Sequence, residues 1–493
     1  MTVTIIHGRS SCQVRGLDDY DIIKELEEEL SFVLQGAEHM NLFKGFEKDG
    51  KFTKWDGVVS LLSGNLRFAP GLLSRVERFF RERDIDYVVE DNRPRLTTGQ
   101  RIDILPKLKA SGKTPYPYQL DAVKKAVSVE RGIIRIGTGG GKTVVAALIV
   151  AEIGKPAVVY VIGKDLLYQI RSLFQSLFDE PIGIIGDGKC EIHRINIATI
   201  WSIGTALGLR KQKRVEGEEK EKPPPKEHHK DIKKMLAHTG VHILDACHLA
   251  ACDTVPGIFK TVCTEHIYGM SASPWRDDGA DLLIENYLGE KIVDIGAKYL
   301  IDNGYLVKPT IRFLPVKPHP YKSTKSYKRI YSQYIVNNPH RNAMVIKAAQ
   351  RLVEQGFKTL VLFHTISHGK ALYNELSKTI PCEILSGKDN SDERERVKKR
   401  LEDGEISLVL ASKIFDIGVD LPILNALVTA GGGKSSVRAL QRIGRVIRRA
   451  PNKEMAAVID FADQAPYLFS HSEARRDIYS QEFEVKWPKK QEP

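Results

Sequence analysis

Residues 137–143 read Gly-Thr-Gly-Gly-Gly-Lys-Thr, and this loop limits what the chain can fold into more than any other segment. Such a run is useful where a buried strand enters it and a helix leaves it, because the backbone N–H groups then converge on an anion. The flanks meet that requirement. Ile133-Ile134-Arg135-Ile136 reads as a short buried strand, and a helix is expected from Thr143. In that context Gly137, Thr138, Gly139, Gly140 and Gly141 form a phosphate cradle, Lys142 meets the β- and γ-phosphates, and Thr143 helps to hold Mg²⁺. One position departs from the strict pattern, since Ile136 stands where the first glycine is usual. A second segment, Gln441-Arg442-Ile443-Gly444-Arg445-Val446-Ile447-Arg448, can aim arginines from a helix at charge on a γ-phosphate. About 300 residues separate the two segments, too many for one small domain. The arrangement expected is an ATP site in a cleft between two α/β lobes.

A chain of 493 residues is too long for one core and suggests about three domains. Hydrophobic content of 42% and charged content of 28% describe an ordinary globular protein. No apolar run reaches the ~20 residues that span a bilayer. Residues 1–7 lack a charged region leading into a long apolar stretch and read as a first strand rather than a signal. A cytoplasmic protein with no membrane partner is expected. Net charge of +12 favours a polyanionic partner. The six cysteines (Cys12, Cys190, Cys247, Cys252, Cys263, Cys382) show no paired spacing, so reduced thiols are expected rather than a metal site or disulfide framework.

Along the chain, residues 1–105 read as a small α+β unit. It should contain an amphipathic helix at 18–35, a strand pair at 52–62, a helix at 70–83 and a closing strand at 86–89. A first lobe is expected over 106–305, with strands at 157–162, 195–199 and 241–245. Alternating Lys and Glu with Pro223-Pro224-Pro225 mark a mobile charged insertion at about 207–235, in which His228-His229 is solvated. A second lobe over 306–493 has strands near 310–313, 359–363, 408–411, 426–429 and 456–460. Apolar strands alternating with helices imply parallel sheets covered by helices, so the fold class expected is α/β.

Asp245-Ala246-Cys247-His248 ends a buried strand about 100 residues past the glycine loop, where a carboxylate can approach Mg²⁺. It resembles motif II of the superfamily 2 helicases, whose pattern is D-E-x-H. Ser271-Ala272-Ser273-Pro274 resembles their motif III, and Pro117-Tyr118-Gln119 resembles their Q motif. Asp416-Ile417-Gly418-Val419-Asp420-Leu421-Pro422 resembles motif V, while residues 441–448 match motif VI. The resemblance implies two RecA-like lobes and Gln119 as the adenine-recognising residue. It also implies Asp245 as a metal-holding carboxylate, His248 and Gln441 facing the nucleotide, Gly418 and Asp420 near its sugar and phosphates, and Arg445 and Arg448 as arginine fingers. Ala246 breaks the pattern. The family has glutamate there to polarise the attacking water, and alanine has no proton acceptor. Nucleotide binding should survive, and turnover should not.

Lobes of this family grip one strand's backbone. The resemblance carries that role to Lys164, Thr199, Thr365 and Lys413, and such phosphate contacts position without reading bases. A hydroxyl that merely satisfies nearby backbone is the competing reading for each threonine. In the N-terminal unit, residues 54–57 and 66–72 resemble the corresponding domain of phage UvsW-type recombination helicases, which remodel branched DNA. Lys54, Arg67, Arg75 and Arg78 are the basic residues there that could select such DNA, and Trp55 is read as a core anchor. The expectation is a monomeric ATP-dependent DNA helicase acting on forked or branched DNA, blocked in hydrolysis at Ala246. A duplex translocase of the XPB or restriction type, and a non-hydrolysing ATP-dependent DNA clamp, are the alternatives.

Overall fold

The computed structural model describes residues 2–8, 10–35, 37–39, 46–48, 51–53, 55–93, 99–209, 223–245, 247, 254–262, 264–274, 280–317, 326–387, 389, 391–412, 421, 423–433, 436–450 and 453–488. Its contacts divide the chain into two compact units. Of the described residues, the first holds those up to Ile136 and then those from Gly141 to Asp294, and the second holds Gly137–Gly140 and those from Ile295 onward. No helix among the described residues is long and apolar enough to cross a membrane.

The first unit contains both the N-terminal α+β segment and the first RecA-like lobe. In the N-terminal segment a four-stranded sheet runs in the order Arg67–Phe68, Cys12–Arg15, Val3–His7, Tyr87–Asp91. Val3–His7 pairs antiparallel to its hairpin partner and parallel to Tyr87–Asp91. Helices Tyr20–Glu29 and Leu73–Glu82 bury Leu26, Val76, Phe79 and Phe80 in its core. The expected helix at 18–35 is shorter in the structure. Asp19 caps it, accepting from the Asp21 and Ile22 N–H groups. It ends at Leu30, and Ser31–Val33 pairs as a strand with Val58–Ser60. A β-branched residue after an aromatic one favours that extended pairing over another helical turn.

The lobe's eight-stranded sheet has the order Lys189–Glu191, Ile182–Gly186, Ile195–Thr199, Ala157–Val161, Val241–Asp245, His266–Ser271, Arg131–Ile136, Lys291–Ile295. Its interior pairs are parallel. Strands Ala157–Val161, Ile182–Gly186 and Ile195–Thr199 are buried at every position, as a sheet covered by helices on both sides requires. Part of the expected mobile insertion is ordered. Helix His229–His238 buries Ile232 and Leu236 in the lobe's core, an i, i+4 apolar pair within a lysine-rich sequence.

The second unit is a seven-stranded parallel sheet. Its order is Cys382–Leu385, Leu408–Ala411, Thr359–Leu362, Ala426–Thr429, Ala456–Asp463, Pro309–Val316, Val485–Lys486. Helices Pro339–Glu354, Ile366–Leu376, Ser436–Val446 and Leu468–Ser480 accompany it. The edge strands Lys189–Glu191, Cys382–Leu385 and Val485–Lys486 were not legible in the sequence, being short and weakly patterned.

Candidate functional site

In the first unit, Arg131–Ile136 feeds the glycine loop and helix Lys142–Ile153 follows it. Two left-handed glycines make the reversal: Gly139 at φ +89° and Gly141, the helix N-cap, at φ +76°. That region of backbone space is open to glycine and strained for other residues. A Cβ at Gly141 would also run into the Gln119 amide. Gln119 is buried, and its Oε1 accepts from the Tyr116 N–H at 2.9 Å, so the side chain braces the start of helix Pro117–Ser128 and lies against the loop. The neighbouring rings of Tyr116 and Tyr118 stack at 5.8 Å. Lys142 begins the helix half-buried, with Nζ donating to the Ile136 carbonyl at 3.2 Å, and Thr143 is half-buried beside it.

Asp245 ends the strand Val241–Asp245, in register with Met270 of the strand that leads to Ser271. His266–Ser271 in turn pairs with Arg131–Ile136, so all three strands deliver their last residues to the same edge of the sheet. Crevices at the carboxyl ends of parallel strands are where such folds bind ligands. Buried Cys247 reports on the local charges. Burial pushes its thiol up, the Asp245 carboxylate adds to that, and the Lys142 ammonium opposes it. At the motif III position, Ser271 Oγ accepts from the Ser273 N–H at 3.1 Å. Arg135 Nε donates to the Ala272 carbonyl at 3.3 Å, while its Nη1 pairs with Asp294 at 2.6 Å. A helix N-terminus, a left-handed glycine cradle, a lysine and a nearby carboxylate suit a nucleotide triphosphate with a divalent cation.

The other expected site residues fall as follows. Arg445 lies in helix Ser436–Val446 and Arg448 just beyond it, both half-buried, and the backbone of Arg448 bridges Leu306. Gln441 is in the same helix. Ala246, His248, Gly418, Asp420, Lys54 and Lys413 lie outside the described residues. Lys164 opens helix Lys164–Leu177 and is half-buried. Thr199 is fully buried as the N-cap of Ile200–Ala206, its hydroxyl accepting from the Ser202 N–H at 3.3 Å. Thr365 is the N-cap of Ile366–Leu376, without a side-chain cap bond. Arg67 is exposed on an edge strand, and Trp55 is half-buried with Nε1 donating to the Val58 carbonyl at 2.6 Å. Arg75 and Arg78 are already paired. Arg75 bridges Glu29 at 2.7 Å and Glu285 at 2.8 Å, and Arg78 meets Glu290 at 2.7 Å. Their ion pairs with Glu285 and Glu290 fasten the N-terminal segment to the lobe.

Two residues that the sequence did not single out position the approach to motif VI. Arg341, fully buried, pairs with Asp463 at 2.7 Å and donates to the Ala430 carbonyl at 2.6 Å. Arg475, 2% exposed, pairs with Asp460 at 2.9 Å and donates to the Gly433 carbonyl at 2.7 Å. Each arginine thus holds one end of residues 430–433, the segment just before the motif VI helix. Aspartates inside the apolar strand Ala456–Asp463 were the available signal, since buried carboxylates need cationic partners.

Comparison with known proteins follows this division. The family model described as "Type III restriction enzyme, res subunit" matches residues 112–276, and "Helicase conserved C-terminal domain" matches residues 343–450. The protein named helicase 22 of Sulfolobus islandicus filamentous virus is 26% identical over 366 residues, covering 70% of this chain. The chain spans 63% of that relative's length. The ATP-dependent DNA helicase uvsW of Enterobacteria phage T4 is 26% identical over 456 residues, 86% of each chain. The DNA 3'-5' translocase XPB2 of Sulfurisphaera tokodaii is 24% identical over 434 residues, covering 80% of this chain and 90% of the relative. Among solved structures, Dbp5 of S. cerevisiae aligns with a TM-score of 0.52 and 14% identity, over 78% of this chain and 93% of that one, which speaks for the fold. Both halves of the motif series therefore lie in matched regions, and these matches together with the uvsW similarity support a superfamily 2 helicase resembling T4 uvsW.

Proposed function

We propose that the chain is an ATP-dependent DNA helicase or translocase that remodels forked and branched DNA, and that hydrolysis in this sequence is blocked at Ala246. The observation that carries the reading is the meeting of Lys142, Asp245 and the left-handed glycine loop at one edge of a parallel sheet. Gly137 to Thr143 would hold the phosphates of ATP, and Thr143 with Asp245 would hold Mg²⁺, which supplies charge neutralisation at the transferring phosphate. Gln119, whose amide lies against Gly141, would contact the adenine. Arg445 and Arg448 would stabilise charge developing on the γ-phosphate, and His248, Gln441, Gly418 and Asp420 would complete the site. Lys54, Arg67, Lys164, Thr199, Thr365 and Lys413 remain the proposed DNA contacts, with Thr199 the weakest because its hydroxyl is buried in a helix cap. Similarity to uvsW over most of both chains supports the DNA-helicase reading, and the branched substrate and a cytoplasmic monomer are further parts of the proposal.

The test is DNA-stimulated ATPase and fork unwinding by the chain beside its Ala246→Glu variant, on forks, four-way junctions and plain duplex. The variant should hydrolyse ATP and prefer forks and junctions. Similarity to XPB2, named a DNA 3'-5' translocase, favours a second reading as a translocase, which we take to run on duplex without branch preference. Equal stimulation by plain duplex and by forks would select it. An inactive Ala246→Glu variant would leave only the non-hydrolysing clamp.

A further inference from the structure

Between Asp302 and Glu354 the chain has no Asp or Glu but ten Lys or Arg, although acidic residues number 62 in 493 overall. Tyrosines interleave with these cations: Tyr321, Tyr327 and Tyr331 alternate with Lys322, Lys325, Lys328 and Arg329. Rings for base faces beside cations for phosphates are the combination by which proteins hold single-stranded nucleic acid.

In the second unit this stretch includes helix Tyr327–Tyr331, continued by the π-helical turn Ser332–Val336. Such turns are rare overall and are frequent at functional sites. Ile330 and Ile335 pack on Ala465 and Leu468, which anchors the segment and leaves Tyr327 44% exposed beside exposed Lys328 and Arg329. From Tyr327 a line of rings runs inward. Its centroid lies 5.5 Å from His471 and 6.1 Å from Tyr331. Tyr331 stacks on His364 at 6.0 Å with 10° between planes, and its hydroxyl donates to the Gly431 carbonyl at 2.8 Å. His364 Nε2 is 3.4 Å from Nη2 of Arg442, in the helix that also bears Arg445. Tyr467, four residues before His471, is 51% exposed and held at φ +61°, a conformation uncommon for any side chain with a Cβ.

We propose that this ridge is a base-stacking contact for single-stranded DNA. Tyr327 takes a base face, Lys328 and Arg329 take adjacent phosphates, and Tyr331 with His364 ties the contact to Arg442 of motif VI. The proposal deepens the DNA-helicase reading above and rests on it. A ring buried only for packing would not be half-exposed among cations, and a basic surface alone would not need the ring.

The test uses the full chain with a single strand carrying 2-aminopurine, an abasic strand of equal length, and duplex, titrated at two salt concentrations. The base-bearing strand should bind about tenfold more tightly than the abasic one and its fluorescence should be quenched. Tyr327→Ala should weaken binding of the base-bearing strand about tenfold and abolish the quench, while Tyr327→Phe should retain both. Lys328→Ala with Arg329→Ala should keep the quench but reduce the slope of log affinity against log salt by roughly 1 to 1.5. Equal binding of base-bearing and abasic strands, or an unchanged quench in Tyr327→Ala, would overturn the ridge while leaving DNA binding intact. Failure to bind any of the three DNAs would overturn the DNA reading itself, and the ridge with it.

Discussion

The sequence has alanine at position 246, next to Asp245, where the motif II that it resembles has a water-polarising glutamate. A positioned general base contributes about 10²–10⁴ in rate, so Ala246→Glu should raise DNA-stimulated turnover by at least ~10²-fold. Brisk hydrolysis by the unaltered chain would refute the idea. Gln119 poses a finer question, because its amide has two faces: Oε1 receives the Tyr116 N–H, and the NH₂ end lies against Gly141. Gln119→Glu keeps the acceptor and removes the donor. If the donor end shapes the loop or meets adenine, this variant should lose about tenfold in ADP affinity while melting normally, since a hydrogen bond to a polar ligand group is worth about 1–2 kcal/mol. Unaltered affinity would confine Gln119 to capping its own helix.

Within single elements, buried polar groups have the largest stakes. His7, on the strand Val3–His7, is 5% exposed, and its Nε2 has no hydrogen-bond partner. Burial, with smaller contributions from Arg93 and Arg131, lowers its pKa from 6.5 to about 4 against the opposing pull of Asp91 and Glu130. The folded value lies below the unfolded one, so unfolding takes up a proton between those limits. Stability is therefore full above pH 6.5 and falls as the pH drops towards 4. His7→Gln should flatten that decline in urea melts at pH 7 and pH 5, and an unchanged difference between the two pH values would count against it. The arginine pins of the second lobe are a harsher case. Among the described residues, Arg475→Met leaves Asp460 with the Tyr479 hydroxyl and the neighbouring Phe461 N–H as partners in the interior. Removing one partner of a buried pair costs about 3–5 kcal/mol. The loss should show as a lower denaturation midpoint and be partly recovered by adding Asp460→Leu. No loss in Arg475→Met would mean that the pair is not holding the Gly433 carbonyl or the lobe.

In the molecule as a whole, the N-terminal segment is joined to the first lobe more closely than a detachable module would be. Arg75 and Arg78 reach Glu285 and Glu290, and Leu282 packs against the N-terminal core. The Gly71 backbone presses so closely on Glu285 and Asn286 that a Cβ there would overlap their backbone atoms. Helix Asp281–Leu288 carries Leu282, Glu285 and Asn286, with Glu290 just beyond its end, and it follows the motif III strand in the chain. Deleting residues 1–105 should therefore lower the melting temperature of the remaining chain, and Arg75→Ala with Arg78→Ala should do so by a smaller amount. A truncated chain melting like the full one would restore the independent module. The comparison matters for substrate choice too, since weakened fork binding after truncation would otherwise mix lost contacts with lost stability.

The glycine loop, the apolar strands and the order of the motifs were legible in the linear chain because each depends on neighbours a few residues away. A phosphate cradle needs its glycines, lysine and hydroxyl in consecutive order, and a buried parallel strand needs an unbroken apolar run. Much of the rest depended on partners distant in sequence. Arg75 read as a possible DNA contact until its carboxylate 210 residues away was brought beside it. Arg341 and Arg475 carried no local mark of burial, and the Ile232–Leu236 pair was hidden among lysines. The line from Tyr327 to Arg442 joins residues more than 100 positions apart. Charge and aromaticity are properties of a residue, but whether they face solvent, a partner or the interior depends on which distant groups the packed chain sets beside them.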